Sequence, residues 1–399
     1  MLNINKEREL AYVVSIDDIK PIAGKDRVEC AVVGGWNVMV RKGDFNIGDP
    51  AIYFEIDSLV PKTEAFAFLE SKNYRIKTQK YGDFYSQGLL MPAKDFGWVV
   101  ETDSSGLMYI KDNNETKHYA NDESRFLTKQ LNVIYYDPID NIRKSNRQTQ
   151  EFSPLFKKIK KYFPFKQLLR TETGRKILLS IFGLKKKKRK WPWFVHKTDE
   201  ERIQNMPWIL NDKDLYEVTE KIDGCSSTYA VEKKFGKLKF YVCSRNIVLQ
   251  RSSKCYYDDN VWFEMYDKYH IEDFLRDYIK KTNASWVYLQ GETFGGGVQK
   301  RDYSIKDHDF RAFILCTSNH SRYTYKETKE ILEKYSIPTV PIVNEKYNLP
   351  DTVEKLLKEA AGESEIDGLP REGIVLRKVD DPNISFKAVD NAFLDKYHK

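Results

Sequence analysis

The stretch EKIDGCSSTYA, residues 220–230, carries a lysine followed two positions later by Asp-Gly, and the fold turns on how it is read. Lys221 is either an ordinary surface lysine or a nucleophile that forms a covalent bond. Four characters do not separate the two, because K-x-D-G arises by chance in about one chain in ten of this size. The residues ahead of it, DLYEVTE, have the β-branched and aromatic character of a strand that ends at the Asp-Gly pair. Asp223 then either favours a turn or serves chemistry, and Gly224 either makes that turn or lets the backbone approach a phosphate or sugar.

Moving outward, the runs KFYVCSRN (239–246), WVYLQGETFGGG (286–297), FRAFILC (310–316), EGIVLRK (372–378) and SFKAV (385–389) also read as strands. Helical periodicity lies between them in WFEMYDKYHIEDFLRDYIKK (262–281) and TVEKLLKEAAG (352–362). Residues 197–399 are therefore expected to form an α+β domain. Glu292 and Glu372 sit in apolar strands, where an unpaired carboxylate is costly, so both point to a site. Phe313 is either core or a stacking platform, Arg245 either a surface ion pair or a ligand contact, and Lys387 either a solvent-facing strand lysine or a catalytic cation. The GGG at 295–297 lacks the lysine spacing of a phosphate loop and reads as a hairpin turn.

The N-terminal part has a different texture. LAYVVSI, VECAVVGGWNVMV, AIYFEID and QGLLMP are short apolar or alternating runs separated by turn signals such as PIAGKD, RKGDFNIGD and KYGDF. A small antiparallel barrel of the OB type is expected over residues 1–120, with an unspecialised β-sandwich as the alternative. Residues 101–120 read as polar and irregular.

Between them lies a basic segment. Residues 141–197 carry eighteen Lys/Arg and two acidic residues, a local +16 in a chain of net +7, so the remainder is net −9. Lysines mixed with apolar residues at helical spacing predict one or two basic amphipathic helices within residues 121–196. The run KKKKRK at 185–190 suits a nuclear address or a nucleic-acid backbone, and a helix lying on a membrane surface is a third possibility. Elsewhere the exclusions are plain. The five cysteines (Cys30, Cys225, Cys243, Cys255, Cys316) form no C-x-x-C pair and no zinc spacing. No apolar run reaches the length of a membrane helix, and the first ten residues lack a signal-peptide core, so an intracellular, cytoplasmic protein is expected, nuclear if the source is eukaryotic.

Taken in order, Lys221 and Asp223, then Ser244-Arg245-Asn246, Glu292 in QGETFG, Phe313 in FRAFIL, Glu372 in EGIVLR and Lys387 in SFKAV resemble the covalent nucleotidyltransferase superfamily of polynucleotide ligases and mRNA capping enzymes. KTDEERIQN (197–205) and VQKRDY (298–303) are similar to RNA ligases. GGWNVMVRKGDFNIGDPAIYFEIDSLVP (34–61) and YSQGLLMP (85–92) resemble the OB domain of the RNA ligase branch that carries it ahead of the catalytic domain. DNA ligases and capping enzymes place theirs afterwards, and only twelve residues follow Lys387 here.

The resemblance implies an ATP-dependent RNA ligase with an ATP-grasp-like nucleotidyltransferase domain built on antiparallel sheets. It implies ATP and Mg²⁺ or Mn²⁺ as cofactors, RNA with 3′-hydroxyl and 5′-phosphate ends as partner, and a monomer. Lys221 would be the nucleophile, and Lys387 would lower its pKa and neutralise the α-phosphate. Asp223, Glu292 and Glu372 would hold the metal directly or through its waters. Glu220, Asp223, Gly224, Ser226, Arg245, Glu292, Phe313 and Arg202 would contact the nucleotide. Two departures stand out: Ser226 replaces an asparagine common in RNA ligases, and Ser385 a second lysine. A DNA ligase, a capping guanylyltransferase and a catalytically decayed OB-type RNA-binding protein are the alternatives.

Overall fold

Short antiparallel ladders build the first 135 residues. In the computed structural model, which describes residues 1–3, 7–82, 84–136, 171, 191–197, 200–252 and 260–397, residues Met1–Tyr135 and Trp191–Lys399 form one compact unit. Most of the basic segment, with its expected helices and the KKKKRK run, lies outside the described residues.

Strand β1 (Ala11–Ser15) pairs with β5 (Pro50–Phe54), and β5 with β9 (Leu89–Met91). A second sheet joins β2 (Asp18–Pro21), β3 (Val28–Val33) and β4 (Trp36–Arg41). Strands β1 and β5 bury both faces. Ala11, Val13, Ile52 and Phe54 enter one core, while Tyr12, Ala51 and Tyr53 enter another with Trp36, Val38 and Val40. That double burial explains the nearly unbroken apolar runs in the sequence. Strand β6 (Ser58–Leu59) and the hairpin β7 (Gln79–Tyr81) and β8 (Phe84–Ser86) complete this region.

Residues 101–120, expected to be irregular, instead contain most of a three-stranded sheet of β10 (Val99–Thr102), β11 (Met108–Lys111) and β12 (Lys117–His118). Its polar turns are ordered by aspartates. Asp103 accepts from the backbone N–H groups of Ser105 and Leu107, and Asp112 from those of Asn114 and Thr116. Residues beyond 120 continue the same body: Leu10 and Ala11 donate to Thr128 Oγ1, and β13 (Ile134–Tyr135) pairs with β6.

Asp112 also accepts from Gln130 Nε2 at 2.6 Å and faces His118 Nε2 at 3.2 Å. Burial alone would raise its pKa, but these donors outweigh burial and bring it down to about 2. The stability so gained is present above the unfolded-chain value near ~4 and is lost as pH falls towards about 2. Asp112→Asn is therefore expected to melt at lower temperature at pH 7 and to lose less on acidification across that window than the wild type.

The second half contains two larger sheets. One has the order β14 (Glu201–Arg202), β22 (Ser385–Val389), β21 (Gly373–Lys378), β15 (Tyr216–Lys221) and β20 (Ile342–Tyr347), all antiparallel except β14 on β22. The other has the order β17 (Lys237–Ser244), β16 (Cys225–Lys234), β18 (Trp286–Gly295) and β19 (His308–Thr317). The helical run at 262–281 is two helices, α1 (Val261–Lys268) and α2 (Ile271–Lys281), broken where His270 takes a left-handed φ of 47°. They pack on the four-stranded sheet through Trp262, Met265, Phe274 and Leu275. Helix α3 (Tyr325–Glu333) follows β19, α4 (Val353–Ala360) covers the five-stranded sheet through Leu356 and Ala360, and α5 (Asn391–Tyr397) follows β22. Among the described residues no helix is long and apolar enough to cross a membrane.

Candidate active site

In the five-stranded sheet Tyr216, Val218, Ile374, Leu376, Phe386 and Ala388 turn towards α4. The two-residue period of a strand then puts Glu217, Thr219 and Lys221 of β15, Gly373, Val375 and Arg377 of β21, and Ser385 and Lys387 of β22 on the opposite face. Arg202, in parallel register with Lys387, joins them. This face meets the four-stranded sheet, for Arg377 Nη1 donates to the Phe313 carbonyl at 3.0 Å. On that second sheet Ser226 lies directly opposite Glu292.

Lys221 Nζ donates to Glu372 Oε2 at 2.6 Å. Burial pulls its ammonium down, but Glu372, then Glu292 and Asp223, favour the charged form more strongly, and the net shift is upward. Glu292 shows the other side of this balance. Burial first, then Glu372 and Asp223, raise its pKa against the pull of Lys221 and Arg245, to about 8. The site thus holds more carboxylate charge than its lysine neutralises. The expectation that Lys387 lowers the Lys221 pKa is not met in this state. Lys387 sits two strands away, about 10 Å across the ladders, while three carboxylates stand nearer.

The same excess charge bears on metal. Among the described residues no three acidic, histidine or cysteine side chains stand close enough to cage an ion directly. Hard oxygen donors grouped around one field, one of them pushed up to about 8, fit a divalent cation held through its waters.

The other expected residues fall as follows. Asp223 is buried, and its backbone N–H donates to Tyr303 Oη at 2.6 Å. Gly224 has a packing reason to be glycine: a Cβ there would lie 2.3 Å from the Thr293 carbonyl and 2.9 Å from Glu292 Cγ. Its bare backbone therefore faces strand β18, where the sequence suggested a phosphate. Ser226 accepts from Trp262 Nε1 through its carbonyl at 3.1 Å. Arg245 is exposed just beyond β17 and acts on Glu292 through charge. Phe313 is half-buried and packs against apolar clusters on both sides, with Ile314 and Cys316 in one and Ile222 and Val340 in the other.

Glu220 is turned away from this cleft. Being on the α4 side of β15, it accepts from the Glu365 N–H at 3.1 Å and sits near Arg301 and Arg371. A direct nucleotide contact from its carboxylate is not what the geometry offers, since strand alternation places neighbours on opposite faces.

VQKRDY is explained by what it ties together. Gln299 Nε2 donates to the Gly224 carbonyl at 3.1 Å, and Tyr303 Oη accepts from Asp223. Arg301 forms a buried ion pair with Asp367 at 2.6 Å and also donates to the Pro370 carbonyl. The loop therefore links the turn after Lys221 to the segment that leads into Glu372. Near Ser385, the place of the missing lysine, Arg322 donates to Ser385 Oγ at 3.0 Å and to Glu200 Oε1 at 3.0 Å. Sequence reasoning assigned no role to Arg301, Arg322 or Arg377. Their signal was weak, because each pairs with a residue more than sixty positions away.

Residues 10–93 match a family model described as an OB-fold domain, and residues 214–389 match the RNA ligase family model. No curated protein sequence matches the chain. Among solved structures it is similar to a mutant of the Naegleria gruberi RNA ligase with ATP and Mn. That match has a TM-score of 0.62 at 25% identity and covers 98% of this chain and 100% of that one. The same ligase with PPi gives 0.62, and another mutant with AMP and Mn gives 0.63, each at 25% identity and covering 98% of this chain and 99% of that one.

Proposed function

Because the chain belongs to the RNA ligase family, with an OB-fold domain ahead of its catalytic module, we propose that it is an ATP-dependent RNA ligase acting in RNA repair. The observation that carries this reading is a single lysine, Lys221, held on a sheet face by Glu372, with Glu292 and Asp223 around it and Lys387 and Arg202 on the same face. The ATP, AMP and Mn complexes of the Naegleria ligase support it.

In the first step the Lys221 amine, once neutral, attacks the α-phosphorus of ATP. The bond to the β-phosphate oxygen breaks, pyrophosphate leaves, and AMP remains on the lysine as a phosphoramidate. Glu372 accepts the hydrogen bond that aims Nζ, while Arg202 and Lys387 face the charge that builds on the phosphates. A Mg²⁺ or Mn²⁺ ion bound through Asp223, Glu292 and Glu372 would supply the positive charge that offsets these carboxylates and favours the neutral amine. In the second step a 5′-phosphate oxygen of RNA attacks the AMP phosphorus and frees Lys221. In the third the 3′-hydroxyl of the adjoining end attacks the activated phosphate, and AMP departs.

In this reading Phe313 would stack on the base, Arg245 would bind ribose or the 5′-phosphate, and Ser226, opposite Glu292 on the neighbouring strand, would hydrogen-bond a phosphate or ribose. The OB-fold domain would grip one RNA strand, and the basic segment over residues 141–197 would add salt-dependent phosphate contacts. A monomer acting inside the cell completes the proposal. The test is a sealing assay on nicked duplexes with RNA or DNA at the 3′-hydroxyl side, using α-labelled ATP and a divalent metal. Label passing from protein to the 5′-phosphate, with sealing faster for the RNA end, is expected. Faster sealing of the DNA end would reassign the chain as a DNA ligase, and no label on protein would exclude both.

A further inference from the structure

The hairpin between β3 and β4 reaches out of the N-terminal domain and into the catalytic one. Its turn is Gly34-Gly35, both at positive φ, and Trp36 opens β4. A Cβ on Gly35 would lie 2.8 Å from Val353 Cγ1 of α4 and 3.2 Å from Gln204 Cγ, so the hairpin tip is wedged against the residues that follow β14. Immediately beside it the Arg202 guanidinium carbon lies 5.4 Å from the centre of the Trp36 ring.

Trp36 is itself held. It is buried and stacks on Tyr53 at 6.4 Å with an interplanar angle of 22°. The Arg202 Nη1 atom is shielded from solvent and has no hydrogen-bond partner among the described residues. An arginine N–H withdrawn from water and left unpaired is costly, unless an anion completes it. Through the parallel pairing of β14 with β22, this guanidinium shares the face of Lys387, and Glu372 is near enough to favour its charge. A cation over an indole is fixed in direction without losing any donor, because the ring face takes no hydrogen bond from it.

We propose that Trp36 is a positioning residue of the active site, acting through Arg202. Its indole holds the guanidinium so that Nη1 meets a phosphate oxygen of the nucleotide beside Lys387. This rests on the ligase reading.

A double-mutant cycle on the full chain tests it, measured as single-turnover labelling with α-labelled ATP across ATP concentrations. Trp36→Leu is expected to slow labelling by about 10-fold at saturating ATP, and Trp36→Phe, which keeps a ring under the cation, to recover most of that loss. With Arg202→Met in place, adding Trp36→Leu should cost no more than about 2-fold further, since its route of action is already gone. Thermal melts accompany each variant. Losses that multiply in the double variant, or a Trp36→Phe variant that melts like wild type yet labels as slowly as Trp36→Leu, would overturn the proposal. Absence of label on the wild type would instead overturn the ligase reading.

Discussion

Lys221→Ala is expected to take up no label from α-labelled ATP, a loss of at least about 1,000-fold, because no other amine can replace it in the phosphoramidate. Lys387, a second lysine of this face, lies two strands away on β22 and is not the amine that Glu372 holds. Lys221→Arg should be equally inert, since a guanidinium stays protonated. Loss of folding is not the anticipated cause. Lys221 ends its strand and is only partly buried, with one side-chain hydrogen bond, to Glu372. The discriminating measurement bypasses the lysine. Given RNA whose 5′-phosphate already carries AMP, Lys221→Ala should seal far better than it seals unactivated RNA with ATP. Equal labelling of wild type and Lys221→Ala would end the covalent mechanism.

Arg301→Met should have the largest effect on stability. Arg301 and Asp367 are 2% and 3% exposed, and removing the cation leaves a carboxylate buried without its partner. Breaking such a pair costs about 3–5 kcal/mol. Arg301 also lies over the Tyr303 ring at 4.2 Å and binds the Pro370 carbonyl, so both the Asp223 turn and the approach to Glu372 lose an anchor. Denaturant unfolding should show the loss, and the double variant Arg301→Met, Asp367→Leu should regain part of it by removing the orphaned charge. No gain in the double variant would mean that the arginine acts chiefly by packing against its aromatic neighbours.

Of the candidate site, Glu292 and Glu372 stood out in the sequence because a carboxylate in an apolar strand has few structural explanations, whereas Lys221, Asp223 and Lys387 were singled out only by the order of motifs along the chain. The strands themselves were readable where one or both faces are buried, as in β1, β5, β15 and β18. Strands β10 to β12 escaped notice because each has at most four residues and the turns between them are polar, which looks like loop until the aspartates that order them are seen. Glu220 was misplaced for a different reason. Adjacency to Lys221 in sequence says nothing about face, and alternation sends Glu220 to the far side of the sheet. The work of Arg301, Arg322 and Arg377 was hidden because their partners come from distant segments, which no local pattern encodes.

The placing of β22 between β14 and β21 also has a consequence for time. Ser385 of β22 binds Glu200, 185 positions earlier in the chain, and the strand bearing Lys387 must slot between one neighbour close to it in sequence and another far away. Closing so long a loop is entropically costly and comes late in folding. The strand of Lys221, β15, meets β21 across a gap of comparable length, from Lys221 to Gly373, so its pairing is a long-range step of the same kind. The β21–β22 hairpin joins segments only a few residues apart and can form first, so the strand of Lys387 is carried in with β21 by the same event that seats β21 against the strand of Lys221.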